Sequence, residues 1–199
     1  MEAKGPPDDE RRRPGRPRSE ESRVQILEAA YRLLRKNGLP ATLTQEIAAE
    51  AGVSTATLYR WWDTKESILL DAVIAHVERT LPYDGTGSAI ARLRENALLG
   101  AAFLMSVDGQ VVVRLLASIY DDPVLRKQFL ENYYLPRRAL ERDLVVRAIR
   151  AGELPQDADP EIVIDALHGP QLFRVFMGHA PVTPEFANAV ADVVLGRRR

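Results

Sequence analysis

From Val24 onward, apolar residues recur at helical spacing: Val24, Leu27, Tyr31 and Leu34 share one side, and Ile26, Ala30 and Leu33 widen it into a broad stripe. Gly38 ends the run, as glycine tolerates the left-handed backbone found just past helix termini. The spacing predicts one helix with a wide buried face. Two shorter helices are expected next. Thr44 caps "QEIAAEA", which Gly52 ends, and Ser54 caps "TATLYRWW", its hydroxyl accepting unpaired N–H groups of the new first turn. Asp63, followed three residues later by Glu66, has the signature of a capping box for a fourth helix running to about Thr80.

After "LPYDGTGS" the helical period resumes, with breaks expected at 107–109, 121–123, 151–160 and 178–184. No segment alternates apolar and polar positions for long enough to make a sheet. The valines at 111–113 are the one strand candidate, and their neighbours Leu115, Leu116 and Ile119 favour a buried helix. The expected fold is all-α with about nine helices. Pro136 and Pro170 each fall inside a helical pattern, where proline either kinks a helix or divides it.

Composition narrows the function classes. The 199 residues, 46% of them apolar, suffice for one or two ordinary folded domains. Cysteine is absent, which excludes disulfides and thiolate metal sites and suits a reducing compartment such as the cytoplasm. No apolar run approaches the roughly 18–20 residues of a membrane-spanning helix, and the charged start lacks the apolar stretch of a secretion signal. Neither a membrane partner nor a cofactor is expected.

Charge is divided unevenly behind an overall net of −1. Residues 11–65 hold 11 Arg and Lys against 6 Asp and Glu, a net +5, whereas residues 66–199 hold 15 against 18, a net −3. Such an asymmetry points to an N-terminal surface that meets phosphate. Within it, residues 11–18 read RRRPGRPR. By composition alone this is either a solvated tail, disordered in isolation, or a grip on something acidic.

The stretch "TQEIAAEAGVSTATLYRWW" decides between them, because it has the layout of a helix-turn-helix. Ile47, Ala48, Ala51, Val53 and Leu58 are the small or apolar residues that let two helices approach closely. Gly52 stands where the short turn wants positive φ. Thr55, Thr57 and Arg60 avoid the buried side and face outward, while Leu58 points inward. Arg60 suits guanine O6 and N7, and Thr55 suits a thymine methyl or a base edge. Ser54, Thr44, Tyr59, Trp61 and Lys65 are placed to hold the duplex, mainly through phosphates, which set register rather than sequence preference. Trp62 is expected in the core.

The leading helix "RVQILEAAYRLLRKNG" followed by "LTQEIAAEAGVSTATLYRWWDTKESILLDAV" resembles the tetracycline-repressor (TetR) family of bacterial transcription regulators. The features carrying the resemblance are Gly52-Val53-Ser54, Leu58-Tyr59, Trp62 and Lys65-Glu66 before Leu69, all within about residues 22–73. The resemblance supports Tyr59 and Lys65 as phosphate contacts; Trp61 departs from the histidine or tyrosine often found at its position. It implies a homodimer in the bacterial cytoplasm, associated with the nucleoid. It further implies a DNA-binding domain (21–66), a connecting helix (67–81) and a domain for effector binding and dimerisation (82–199); the residues before them, 1–20, rich in Pro, Gly and charge, are expected to be a disordered basic arm. Most such proteins are repressors that leave a palindromic operator when a small molecule binds.

With a recognition helix in the major groove, the basic arm lies beside the minor groove, whose narrow A·T-rich form attracts arginine. "RPGRPR" has the Gly-Arg-Pro core of A·T-hook peptides, so Arg16 is the expected groove reader, with Arg13 and Arg18 on phosphates or groove walls. In the second half, Phe103, Met105, Leu116, Tyr120, Phe129, Tyr133, Phe173 and Phe176 either line an apolar pocket or fill a dry core. The residues expected to meet a small, partly apolar effector are Phe103, Arg114, Tyr120, Tyr133, His168 and Phe173, with Asp165 as a carboxylate partner for a polar member. The last two helices, about 160–178 and 184–196, carry Ile162, Val163, Ala166, Leu167, Val190, Val193 and Val194 at helical spacing. The resemblance implies that these two helices pair with those of a second copy as a four-helix bundle along this seam; in a monomer the same seam buries the chain's own helices.

Two other classes compete. An enzyme would have only His76, His168 and His179, none at metal-ligand spacing, and neither a phosphate loop nor a nucleophile elbow, so no enzymatic activity is expected. An A·T-hook architectural protein would leave over 110 residues of apolar-rich helix without a purpose. Within the regulator class, an activator would share the same DNA-binding half.

Overall fold

The computed structural model describes residues 16–81 and 87–196, with side chains from Glu20 onward. Among these residues there are ten α-helices and no strand. They are α1 (Arg16–Asn37), α2 (Thr44–Glu50), α3 (Thr55–Tyr59), α4 (Lys65–Thr80), α5 (Ala89–Met105), α6 (Val107–Ser118), α7 (Pro123–Phe129), α8 (Leu135–Arg150), α9 (Pro160–Met177) and α10 (Pro184–Leu195). A π-helical turn, Leu130–Tyr134, joins α7 to α8 without a break, so the ten helices make nine rods.

Helix α1 begins at Arg16, within the segment expected to be a disordered arm ending at residue 20. Pro17 falls in its first turn, where a missing N–H has no intrahelical partner to lose. The buried stripe runs through Ile26, Leu27, Ala30, Tyr31, Leu33 and Leu34, but Val24 is exposed. Gly38 closes the helix at φ +76°, its N–H donating to Leu34 O at 2.9 Å.

Two caps fall one residue away from expectation. Leu43, not Thr44, precedes α2, and the Glu46 carboxylate accepts the Leu43 N–H. Thr64, not Asp63, caps α4: its hydroxyl accepts the Ser67 N–H at 3.1 Å, while Ser67 Oγ donates to Thr64 O at 2.8 Å. Adjacent residues of capping type differ only in which one adopts extended backbone, and Thr64 does so at φ −134°.

Two apolar cores organise the chain. The first joins α1 to α4 and includes Val112 and Leu115 of α6, Ile119 just beyond it and Leu125 of α7, so the expected domain boundary near residue 81 does not separate the packing. The second gathers Leu93 and Ala97 of α5, Leu144 and Val145 of α8, Ile164 and Leu167 of α9, and Ala191 and Leu195 of α10. Buried Arg94 fastens α5 to the chain end by donating to Asp192 Oδ1 at 2.6 Å and to Gly196 O at 2.7 Å. A buried cation needs such partners, because its lost hydration is otherwise uncompensated.

Helices α5 and α6 meet at 84° around Ser106. Ser106 Oγ accepts the Gly109 N–H and donates to Phe103 O, and Gly109 is held so close to Phe103 O that a β-carbon would overlap it. Pro136 neither breaks nor terminates its rod. The preceding turn is π-helical, with the Leu135 N–H reaching back five residues to Leu130 O, and Pro136 follows in the first turn of α8. Pro170 lies inside a continuous α9. No single described helix is long and apolar enough to cross a membrane.

Candidate nucleic-acid interface and interior cavity

The turn between α2 and α3 is built by Gly52 at φ +66°, a conformation that strains any other residue, with the Val53 N–H returning to Ala48 O at 3.0 Å. Ser54 caps α3 as expected: its hydroxyl accepts the Thr57 N–H at 3.2 Å and lies 2.9 Å from Thr57 Oγ1. Leu58 is fully buried and anchors the helix. A five-residue helix has no independent stability in water, so α3 owes its position to that anchor and its cap.

Around this anchor Thr55, Ala56, Tyr59, Arg60 and Trp61 all face solvent, Tyr59 with 54% of its surface and Trp61 with 42%. The helix is shorter than the expected 55–62, because it ends at Tyr59. Its hydrogen bonding nevertheless continues: Trp61 and Trp62 N–H both donate to Leu58 O, at 2.9 and 3.1 Å, and Arg60 keeps right-handed helical backbone. Thr57 is half-buried, its hydroxyl turned to Ser54, and Thr44 is half-buried in the first turn of α2.

Lys65 differs from a free phosphate ligand. Its Nζ donates to Leu39 O at 3.2 Å and lies 3.7 Å from Glu66, tying the loop after α1 to the start of α4. Trp62 is buried, and its indole N–H donates to Asp71 Oδ2 at 2.8 Å. Arg13 lies outside the described residues, as do the side chains of Arg16 and Arg18, whose backbone forms the first turn of α1 rather than an extended hook.

A cavity of about 450 Å³, open to solvent on one side, lies between α5, α6, α9 and the α7–α8 rod. Its wall is largely apolar, including Leu99, Phe103, Val112, Leu116, Phe129, Ile164 and Leu172. Arg138 and His168 face carboxylates, whereas Arg137 meets a backbone carbonyl and an aromatic ring. Arg138 donates to Glu161 at 2.6 Å, Asp165 at 2.7 Å and the Tyr134 hydroxyl at 2.9 Å. Burial opposes its charge, but the hydrogen bonds to Asp165 and Glu161 prevail and raise its pKa. Arg137 donates to Leu81 O at 2.8 Å and lies 5.2 Å over the Tyr133 ring. Burial raises the Tyr133 pKa, keeping the phenol protonated. Glu141 faces His168 Nε2 at 3.0 Å. Asn96 Nδ2 is shielded from solvent and has no acceptor among the described residues.

Of the residues expected at an effector, Phe103, Tyr133 and His168 line this cavity and Arg114, Tyr120 and Phe173 do not. Arg114 is exposed on the far side of α6, and Tyr120 is exposed beneath Arg126, 5.8 Å away. Phe173 is exposed with its ring 5.4 Å from His179. Asp165 pairs with Arg138, and His168 pairs with Glu141 instead. Asn96, Arg137, Arg138 and Glu141 also line the cavity, although they were not expected there. A signal existed for two of them, since Arg138 and Glu141 share a helical stripe with buried Val145 and Ala148.

The expected dimer seam divides between two faces. Val163 and Leu167 point into the second core. Ala166, Val190 and Val194 are half-buried, and Ile162 and Val193 lie outward with 67% and 86% of their surfaces free. Phe173, Phe176 and Met177 extend the exposed apolar surface along α9. A separate open groove of about 840 Å³ lies between α1, α4 and α6. There Asp108 pairs with Arg35 at 2.8 Å and faces His76 Nε2 at 3.4 Å, and the His76 ring stacks on Tyr31 at 3.7 Å.

Comparison with known proteins gives matches over both halves. Residues 26–72 match the model for "Bacterial regulatory proteins, tetR family", and residues 83–194 match "Tetracyclin repressor-like, C-terminal domain". The HTH-type transcriptional regulator YdeS of Bacillus subtilis is 33% identical over 181 residues, 91% of this chain and 90% of that protein. Among solved structures, the TetR family transcription regulator SCO0332 superposes with a TM-score of 0.75 at 27% identity, over 90% of this chain and all of its own. AibR in complex with isovaleryl coenzyme A and operator DNA has a TM-score of 0.58 at 20% identity, over 89% of this chain and all of its own, a likeness of fold.

Proposed function

The chain belongs to the tetR family of bacterial regulatory proteins, a helix-turn-helix transcriptional regulator, and on that premise we propose that it is a dimeric repressor released from a palindromic operator by a small molecule. The observation that carries this reading is one of arrangement. A ridge of exposed Thr55, Tyr59, Arg60 and Trp61 rests on buried Leu58, and the core beneath it runs on into α6 and α7, which wall the cavity.

On the DNA, Arg60 and Thr55 read base edges in the major groove, and Tyr59, Trp61 and Thr44 hold phosphates. Ser54 and Thr57 present the first turn of α3, their hydroxyls engaged with each other. Lys65 acts chiefly by fixing α4 against the α1–α2 loop, with its charge adding to the phosphate field. Arg13, Arg16 and Arg18 reach the adjacent minor groove, which requires the first turn of α1 to unwind into an extended arm.

The dimer forms across the outward faces of α9 and α10, where Ile162, Val193, Phe173, Phe176 and Met177 leave more apolar surface uncovered than a monomer needs. The effector enters the cavity. Because the wall is largely apolar, the fitting guest is predominantly apolar, with a hydrogen-bond acceptor for Asn96. AibR, of the same fold, is described with isovaleryl coenzyme A and operator DNA together. An acyl group is accordingly one guest to try. Release follows if the guest binds more tightly to the conformation whose two reading heads are misspaced, since equal affinity for both shifts nothing.

Selection of bound duplexes from random DNA tests this reading. The expected product is a palindrome with half-sites about 10 base pairs apart, or a multiple of that, matching two symmetric reading helices. Recovery of no enriched sequence at low salt would refute it.

A further inference from the structure

Resting on the regulator reading above, we infer that Asp71 is the joint through which the cavity acts on the reading head, gripped by Gln128 on one side and holding Trp62 on the other. The two carboxylate oxygens serve different halves of the molecule. Oδ2 accepts the Trp62 indole N–H at 2.8 Å, and Oδ1 accepts the Gln128 amide N–H at 2.8 Å. Trp62 lies immediately beyond the reading ridge, and its backbone N–H closes the last turn on Leu58 O. Gln128 immediately precedes Phe129, whose ring lies in the cavity wall 5.5 Å from that of Tyr133. Two side-chain hydrogen bonds therefore span the distance from cavity wall to DNA-facing ridge.

The rod carrying Gln128 grips α4 at two places. Gln128 Nε2 also lies 3.5 Å from Ser67 O near the start of α4, and Arg137, stacked on Tyr133 of the cavity wall, donates to Leu81 O at its end. Between these holds lies the π-helical turn, where the backbone hydrogen bond spans five residues instead of four. A guest that displaces Phe129 or Tyr133 shifts α7 relative to α8 at this turn, and Gln128 travels with α7. A hydrogen bond to a carboxylate is short-ranged and directional, so the Gln128 contact is either kept, drawing Asp71 and Trp62 along, or broken. Arg23 lies 3.6 Å from Asp71 Oδ2 and 5.9 Å from the Trp62 ring, so the carboxylate keeps counter-charge when Gln128 is removed.

A test needs no knowledge of the effector. Gly100 lines the cavity, and a β-carbon there has open space, so Gly100→Phe places a ring inside as a built-in guest. The chain has two tryptophans, so ¹⁵N-tryptophan labelling gives two indole resonances, and Trp61→Phe assigns them. Gly100→Phe is expected to shift the Trp62 resonance and to change affinity for the selected operator by about tenfold, within the usual range for coupled sites. In a Gln128→Leu background the same filling should leave the Trp62 resonance in place and change affinity by less than about threefold. Gln128→Glu, which opposes two carboxylates without filling the cavity, should move the Trp62 resonance by itself, and the exposed neighbour change Lys127→Ala should not. The proposal is overturned if Gly100→Phe leaves the Trp62 resonance unmoved, or shifts it equally with and without Gln128. A chain that bound no duplex would defeat the regulator reading, while the resonances would still decide the role of Asp71.

Discussion

Replacing Leu58 by alanine tests how the reading head is held. Leu58 is fully buried, belongs to the core shared by α1, α2 and α4, and is the apolar anchor of a five-residue helix. Removing its three outer carbons forfeits their transfer free energy and leaves a hole that close-packed neighbours fill only in part. The expected cost is about 3 kcal/mol, within the range of about 2–5 kcal/mol for such truncations. With a urea dependence of about 2 kcal/mol per molar, the unfolding midpoint falls by about 1.5 M. Variant and native chains must be compared at equal protein concentration, because the proposed dimer would also contribute. Hydrogen exchange should show the amides of residues 55–62 losing protection before those of α9, and operator affinity should fall with the folded fraction. Leu58→Met, nearly conserving volume, should cost less than about 1.5 kcal/mol and retain binding. A loss under about 1 kcal/mol for Leu58→Ala, with protection of 55–62 intact, would refute the view that this side chain positions the helix.

Other consequences are equally direct. Tyr59→Ala should weaken binding to all duplexes and lower the slope of log K against log salt by roughly 0.9, as one phosphate contact is lost, whereas Arg60→Ala should relax preference at one base pair of the selected site. Gly109→Ala sets a β-carbon against Phe103 O and the Leu104 backbone and should destabilise the chain by about 1–3 kcal/mol in thermal or urea unfolding, with Ala→Gly changes on exposed helix surfaces as the scale. Val193→Asp should leave the monomer folded, since that side chain is 86% exposed, yet convert the protein to a monomer in sedimentation if α10 forms the dimer face. Burial lowers the His76 pKa below 6.5 against the pull of Asp108, so the unfolded chain binds the proton more readily than the folded one. The stability contributed by neutral His76 is present above about pH 6.5 and is lost as pH falls through its lower folded value. His76→Gln should flatten that part of the pH–stability curve, measured by urea unfolding between pH 5 and 8.

Much of the reading head was legible from the chain alone, because its determinants are local. Gly38, Gly52 and Ser54 act on backbone within three or four residues of themselves, and the apolar period of α1 needs only one neighbouring core to satisfy it. Where two adjacent residues were both fit to cap, as with Asp63 and Thr64, the local signal placed the helix start one position early. At the arm, composition favoured a disordered tail and the structure continues α1 back to Arg16, since Pro17 is harmless in a first turn.

The second half divides differently. Its helices were visible as a period of about 3.6, but a broad apolar helix has more than one buriable side, and only the neighbours decide which is used. Val163 and Leu167 turned inward because α5 and α8 lie there, leaving Ile162 and Val193 outside, though all four share one apolar pattern. The cavity wall likewise joins residues far apart in the chain: Arg138 to Asp165 across 27 positions, and Gln128 to Asp71 across 57. The chain by itself determined where helices form and that a short rigid ridge faces outward, because hydrogen bonds and periodicity act over a few residues. Tertiary structure alone decided which charges neutralise one another, which aromatic rings line a space and which fill it, because those outcomes depend on how separately formed rods come to lie against each other.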